Sequence, residues 1–430
     1  VNDTSYRVWS TWSPITRLLH EYDASFDVQF GRGSYLFTRN GRRILDAAAG
    51  LWTVNLGHGR EDVIAAIAGQ LSRTSYLHVG STMIRSDLGH QYAERLLGHA
   101  PSHFSRLMFH CTGTAAIEAS QLILRRWFRE SGQPQRWRTI ALEGGYHGAS
   151  MLTFSMAGHE DYVEKNYGPR VPGCHHIPLP ADPEGEESYA SLVRLLETHG
   201  PESFAAFVFE PVLGSSGTIP LPEPWLKRVL ALCREHGIKT VADEVVTGLG
   251  RTGRWFASEA LDVDVLVLGK GVAAGYYPVT ASVWREDIFD LFARGAGIAL
   301  DTGCTMDAHP AGCAAALAVL SAIERESLIE RARESGARMA LILEPLKNLP
   351  IVRAVRCAGL MAGIALQGPS GSAISFQRVE RIHRSLMREG LLTIVSWDAL
   401  SVAPPLNVEA SELSELGEIL KSVLEKESMD

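Results

Sequence analysis

The chain has 430 residues, 46% of them apolar and 21% charged, and its formal net charge is −8. That length allows two or three ordinary domains or one large α/β enzyme with an ample core. The acidic balance argues against a dedicated nucleic-acid or membrane-surface binder, and no apolar run is long enough to span a bilayer. The first residues, VNDTSYRVWSTWSP, lack a charged segment leading into an apolar one, so no signal peptide is expected; the first residue is not Met, which leaves the natural start open. The six cysteines, Cys111, Cys174, Cys233, Cys304, Cys313 and Cys357, form no Cys-x-x-Cys pair, which fits reduced thiols in a cytoplasmic protein. The 15 histidines show no His-Glu-x-x-His spacing, and His175-His176 reads as part of a solvated, proline-rich loop; no metal is expected.

Residues 1–30 read as an irregular arm with a short helix near Ile15–Tyr22. Gly33–Ile44 carries a hairpin signal, with Asn40-Gly41 as the turn. Amphipathic spacing predicts helices over Glu61–Ser72 and Leu88–Leu97. A strand over Arg106–His110 runs into Cys111-Thr112-Gly113-Thr114 and a helix to about Arg129. Such a unit is either an anion cradle or an ordinary capped helix. Arg138–Leu142 is a strand ending in Glu143-Gly144-Gly145-Tyr146-His147-Gly148. Residues 158–203 are loop-rich with a helix near Tyr189–Thr198. A strand at Phe204–Phe209 ends at Glu210, a helix spans Pro224–His236, and strands follow at Lys239–Ala242, Val263–Leu268 and Pro278–Trp284. Beyond them come helices at Pro310–Arg325 and Leu328–Leu346, then strands near Ile351–Arg356 and Leu360–Ala365. A helix near Ser375–Glu389, short strands near Leu391–Val395 and Leu400–Val402, and a last helix from about Glu409 complete the chain.

Strands separated by helices predict a mostly parallel sheet, whose ligands sit beyond the carboxyl ends of its strands. His110 to Thr114, Tyr146, Glu210, Asp243 and Lys270 all fall just past such ends. A lysine amine forms Schiff bases with carbonyls, and a carboxylate beside it suits an aromatic ring nitrogen. With an anion loop at Thr112–Thr114, a ring stack at Tyr146 and an apolar contact from Val245, these residues match the handles of pyridoxal 5'-phosphate (PLP).

Seven passages carry a family resemblance: GLWTVNLGHG (50–59), GYHGAS (145–150), FEPVLGSSG (209–217), ADEVVTGLGRTGRWFA (242–257), LGKGVAAGYYP (268–278), HPAGCAAALA (309–318) and GLLTIVSWDALSVAPPL (390–406). Through them the chain resembles the class III PLP-dependent aminotransferases of fold type I, the group of ω-amino acid and amine transaminases. The resemblance implies an α/β transferase fold with a mostly parallel central sheet in a large PLP-binding domain, residues 61–320. A smaller α+β domain is built from both termini, residues 1–60 and 321–430.

By position, Lys270 corresponds to the Schiff-base lysine that also moves the proton, and Asp243 to the acid on the ring nitrogen. Tyr146 and Val245 flank the ring, Thr112, Gly113 and Thr114 take the phosphate, and Glu210 and His147 belong to the cofactor's surroundings. Thr305 corresponds to a threonine reaching the cofactor of the neighbouring subunit, which implies a homodimer. Trp52 lines the substrate channel. The implied reaction is a double displacement between an amine or ω-amino donor and a carbonyl acceptor.

Departures from the family pattern bear on substrate. Ala115 stands where the phosphate loop usually has an acid. Ala149 and Ile394 stand at the two places where relatives carry a carboxylate-binding arginine. Apolar amines or aldehydes are then expected, unless Arg85, Arg251 or Arg254 substitutes. Trp397, in place of a glycine, either narrows the pocket or covers the domain joint. The same residues would also serve an amino-group mutase, an epimerase or a decarboxylase. GLGRTG does not follow a strand and open a helix, so a dinucleotide site is not expected.

Overall fold

The computed structural model describes residues 23–78, 84–295 and 299–429. The helix expected near Ile15–Tyr22 lies outside them. At the centre is a seven-stranded sheet whose strands, in chain order, are β1 (Phe104–His110), β2 (Arg138–Leu142), β3 (Cys174–Ile177), β4 (Phe204–Phe209), β5 (Lys239–Glu244), β6 (Val265–Leu268) and β7 (Thr280–Arg285). They lie side by side as β1-β7-β6-β5-β4-β2-β3. Only β7 runs antiparallel to its neighbours, β6 and β1. The carboxyl ends of the other six therefore share one edge.

Period-two alternation divides these strands between two cores. Ala206, Val208, Val241, Val265 and Val267 meet Ala116, Ile117, Ile123 and Leu124 of the helix Gly113–Glu130. Phe207, Phe209, Ala242, Leu266 and Leu268 face the opposite way, into the main core. There Trp225, Val229 and Cys233 of the helix Glu223–Glu235 are fully buried. The helix Pro310–Arg325 runs as far as the sequence predicts. Proline begins it, and its small side chains let it pack closely on Glu61–Arg73 and Asp87–Leu97.

A second, antiparallel sheet is formed by Val352–Cys357, Ala362–Leu366, Ala399–Val402 and Ile394–Ser396. The helices Phe376–Arg388 and Ala410–Glu427 pack together beside it. Near the amino end, Val28–Arg32, Tyr35–Thr38 and Arg43–Asp46 form an antiparallel set. Leu391–Leu392 joins that set in parallel, pairing with Leu45 and Asp46. The Ser34 and Tyr35 hydroxyls donate to Glu412 and Glu415 of the last helix, at 2.9 and 2.8 Å.

Several segments differ from the sequence expectation, among them Val28–Arg32, a strand where an irregular arm is expected to residue 30. His175 and His176 belong to the edge strand β3 rather than a loop. The His176 ring bonds the Met156 carbonyl at 2.9 Å, and the His175 ring packs on His199 and Phe204. A four-residue edge strand flanked by prolines gives too short an alternation to read. The helix Glu160–Tyr167 is short and mostly polar, so its apolar period is equally hidden. Among the described residues, no helix is long and apolar enough to cross a membrane.

Candidate active site

Register explains why an acid and a lysine far apart in sequence meet. Strands β5 and β6 are parallel neighbours with Asp243 opposite Val267 and Glu244 opposite Leu268. Each chain then turns out of the sheet at the same edge, Asp243 at the end of β5 and Lys270 just beyond β6. The next link is Val245. A side chain built on Gly113 would lie 3.1 Å from Val245 Cγ2, and one on Gly269 only 2.8 Å from Val245 Cγ1. Val245 is thus wedged between the start of the helix Gly113–Glu130 and the residue preceding Lys270.

Thr112 caps that helix, its hydroxyl accepting from Ala115 N–H at 3.1 Å. The N–H groups of the first turn are then turned toward the edge of the sheet, where an anion is favoured. Gly148 brings the neighbouring loop onto the same spot: a Cβ there would be 2.5 Å from Thr114 Oγ1. Its φ of +127° excludes an ordinary side chain in any case.

Asp243 and His147 form the polar base of the site. His147 Nδ1 donates to Asp243 Oδ2 at 2.8 Å, and Val245 N–H donates to Oδ1 at 3.1 Å. Burial alone would pull His147 down, but the Asp243 carboxylate, with Glu210 behind it, holds it above the ordinary imidazole range. Its Nε2 is buried without a partner, an orphan expected where a ligand is absent. Glu210 accepts from Tyr146 N–H at 2.9 Å and Gly214 N–H at 3.2 Å. Burial raises its carboxyl to about 7. Tyr146 is half-buried, and its phenol is pushed up by burial and by Asp243 and Glu210.

Lys270 carries strain and desolvation together. Its φ is +37°, unusual for a residue with a side chain. Burial drives its amine down to about 8, against the pull of Glu210 and Asp243. Its Nζ lies 4.6 Å from the centre of the Trp52 ring. Trp52 is itself at φ +56°, within the irregular turn of Ala49–Trp52, and its Nε1 is buried without a partner. Around it, Ala48, Val212, Met361, Ile394 and Ala403 make an apolar wall, with Val246 packed against it.

The remaining sequence candidates fall outside this group. Ala149 is exposed. Trp397 is 50% exposed, its ring 5.2 Å from His159, 6.1 Å from Tyr162 and 6.5 Å from Phe376. It covers the joint between the second sheet's helix and the segment after β2. Thr305 is exposed, and its carbonyl accepts from the Tyr76 hydroxyl. Among the described residues it makes no hydrogen bond to the Asp243–Lys270 group.

Of the possible substitute arginines, Arg251 is fully buried, with Nη1 donating to the Leu360 and Pro404 carbonyls and Nη2 to Asn55 Oδ1. Those bonds tie the glycine-rich turn to the segments that flank the second sheet; the Arg251 Nε is buried without a partner, and the Arg251 charge helps to hold the Lys270 amine down. Arg85 and Arg254 are exposed, the latter 3.9 Å from Glu259. Glu244 has no expectation from the sequence. It is buried and accepts from Ser258 N–H, Ala257 N–H and Thr247 Oγ1 at 2.8, 2.7 and 3.0 Å, fixing the chain after the turn. An acid beside a glycine-rich turn was its only sequence signal.

An anion cradle, a carboxylate on a histidine and a poorly solvated lysine at one edge of this sheet define a PLP-dependent transferase of fold type I. Comparison with known proteins carries this further: the family described as aminotransferase class-III matches residues 20–424. The chain belongs to that family. It is 32% identical to the omega-aminotransferase of Caulobacter vibrioides, over 91% of this chain and 92% of the relative. It is 34% identical to the adenosylmethionine-8-amino-7-oxononanoate aminotransferase of Nitratidesulfovibrio vulgaris, over 89% of this chain and 74% of that protein. Among solved structures, the PLP-bound amine transaminase of an uncultivated Pseudomonas species superposes with a TM-score of 0.92 at 32% identity, covering 98% of this chain and 99% of that one. The chain is therefore an aminotransferase, and PLP is its cofactor.

Proposed function

We propose that this enzyme transfers amino groups between apolar primary amines and small carbonyl acceptors. One observation carries the reading: Lys270 lies against Trp52, and Trp52 packs into an apolar cluster with Ala48, Val212, Met361, Ile394 and Ala403. A substrate carboxylate pressed against that wall would lose its hydration without gaining a partner. An alkyl or aryl group would gain about 25 cal/mol for each Å² buried.

When bound, PLP supplies an aldehyde that takes up the amino group and a ring that accepts the electrons of the substrate Cα–H bond. Lys270 would hold the aldehyde at rest and afterwards move the Cα proton. A near-neutral amine suits that work, and burial at this strand end provides one. Asp243 would meet the ring nitrogen and keep a proton there, while His147 orients the carboxylate through the 2.8 Å bond. Gly113 and Thr114, at the start of the capped helix, hold the phosphate. Tyr146 and Val245 flank the ring, and Glu210 sets the position of Tyr146 through its backbone N–H.

Thr305 completes the phosphate site of a second subunit in a homodimer. Two features support this. Thr305 is exposed rather than turned into its own site, and Leu51 and Met306, next to Trp52 and Thr305, expose apolar side chains that a second copy would cover. Free thiols at all six cysteines support a cytoplasmic location. Residues 61–320 form the cofactor domain, with the two terminal regions forming the smaller one.

The test is a donor and acceptor screen with pyruvate, 2-oxoglutarate and simple aldehydes. Apolar amines paired with pyruvate or an aldehyde are expected to turn over fastest. Strong activity with the dicarboxylic keto acid would overturn the proposal.

A further inference from the structure

Three potential metal ligands meet immediately beside the two segments assigned to cofactor phosphates. Cys111 precedes Thr112, and Cys304 precedes Thr305. With Asp307 they place two sulfurs and a carboxylate oxygen within 4.8 Å of one another. Cys111 Sγ is 3.5 Å from Asp307 Oδ1. The other oxygen, Oδ2, accepts from Cys304 N–H at 2.8 Å, which fixes the carboxylate with Oδ1 toward the sulfur. Such backbone support is how first ligands of metals are oriented.

We propose that Cys111, Cys304 and Asp307 bind one soft divalent cation of the zinc type, fastening the phosphate loop to the Thr305 segment. Tetrahedral zinc has metal–sulfur distances of about 2.3 Å and metal–oxygen distances of about 2.0–2.2 Å, which put sulfur and oxygen roughly 3.5 Å apart. The Cys111–Asp307 contact already has that span. Two thiolates select a soft ion over magnesium or calcium. Cys304 is exposed in the single chain, and Asp307 is 8% exposed, so one wall of the site is dry.

An independent observation lies alongside. His110, one residue before Cys111, is 2% exposed, with Nε2 bonded to Ser282 Oγ at 2.8 Å and Nδ1 buried without a partner. The Asp307 carboxylate acts on this imidazole through space, so His110 lies in the neighbourhood of the cluster. On binding, the two thiols release their protons, the two sulfurs and one oxygen bond to the cation, and no electron is transferred. Its cysteines lie far apart in the chain and belong to no spacing motif, so the site is invisible in sequence.

The metal site stands on these side chains alone; only its effect on the cofactor rests on the phosphate roles proposed above. The test uses metal-depleted holoenzyme kept reduced with a phosphine and titrated with Co²⁺, then displaced with Zn²⁺. One Co²⁺ per chain is expected, with a thiolate-to-cobalt charge-transfer band that Zn²⁺ removes. Cys304→Ser and Asp307→Asn should each weaken binding at least tenfold, and Cys357→Ser should leave it unchanged. Zinc should slow cofactor loss on dialysis in the wild type and not in Cys304→Ser. The proposal is overturned by absence of the band or by equal binding in Cys304→Ser. Metal binding without slower cofactor loss overturns the fastening role. None of these readouts uses turnover, so they are independent of the substrate assignment.

Discussion

Replacing Lys270 by methionine should stabilise the protein freed of its cofactor. The amine sits at about 8 against the ordinary 10.5 because burial strips its water. At roughly 1.4 kcal/mol per pH unit, that difference corresponds to about 3 kcal/mol. Contact with the Trp52 face returns up to about 2 kcal/mol to the ammonium, so the net penalty is about 1–3 kcal/mol. A lysine with a folded pKa below its unfolded one weakens the fold at every pH where the unfolded lysine is protonated. The penalty is therefore complete below pH 8, shrinks as pH rises and is gone above 10.5. Methionine has a similar volume and carries no charge. Urea unfolding of the two cofactor-free proteins should show Lys270→Met more stable at pH 7 by about 1–3 kcal/mol, with the advantage lost by about pH 11. A wild type at least as stable at pH 7, or an advantage independent of pH, would refute the desolvated lysine.

Two other substitutions probe the same edge of the sheet. Asp243→Asn should lower kcat by about a hundredfold or more in steady-state assays, because the ring nitrogen loses its anion. His147 should then titrate lower, since Asp243 is the main group raising it against burial; NMR of the imidazole reads this directly. Gly158→Ala should cost about 3 kcal/mol or more, measured by denaturant unfolding. Its Cβ would come within 2.2 Å of Gly144 N and Leu142 O, where Gly144 N–H and Gly158 N–H donate to the Gly158 and Gly145 carbonyls at 2.9 and 3.0 Å. Displacing that loop should also weaken cofactor binding through Tyr146.

Where the sequence was readable, it was readable because the signal is local. Apolar runs of β4, β5 and β6 end at or just before charged residues, and a parallel sheet puts such ends together without further information. Position within the family pattern singles out Val245, but only packing shows it wedged between Gly113 and Gly269. The His147–Asp243 bond joins the loop after β2 to the end of β5, two strands that are not neighbours. Nothing in either segment announces it. Arg251 resembles a possible anion binder in sequence, yet three oxygens of Asn55, Leu360 and Pro404 occupy it. Trp397 shows the converse: a large aromatic near the pocket's strand turns outward onto His159 and Tyr162. Tertiary partners decide these cases, and their spacing in sequence carries no period.

The central claim is that Lys270, desolvated beside Trp52, is the group that moves the proton during amino transfer to and from an apolar amine. Its most direct test follows the bound cofactor's spectrum after adding an apolar primary amine without acceptor, for wild type and Lys270→Ala. The wild type should convert its cofactor from the aldehyde to the amino form. The variant, loaded with cofactor by excess PLP, should do so at least about a thousandfold more slowly. Conversion by Lys270→Ala at the wild-type rate would contradict the account.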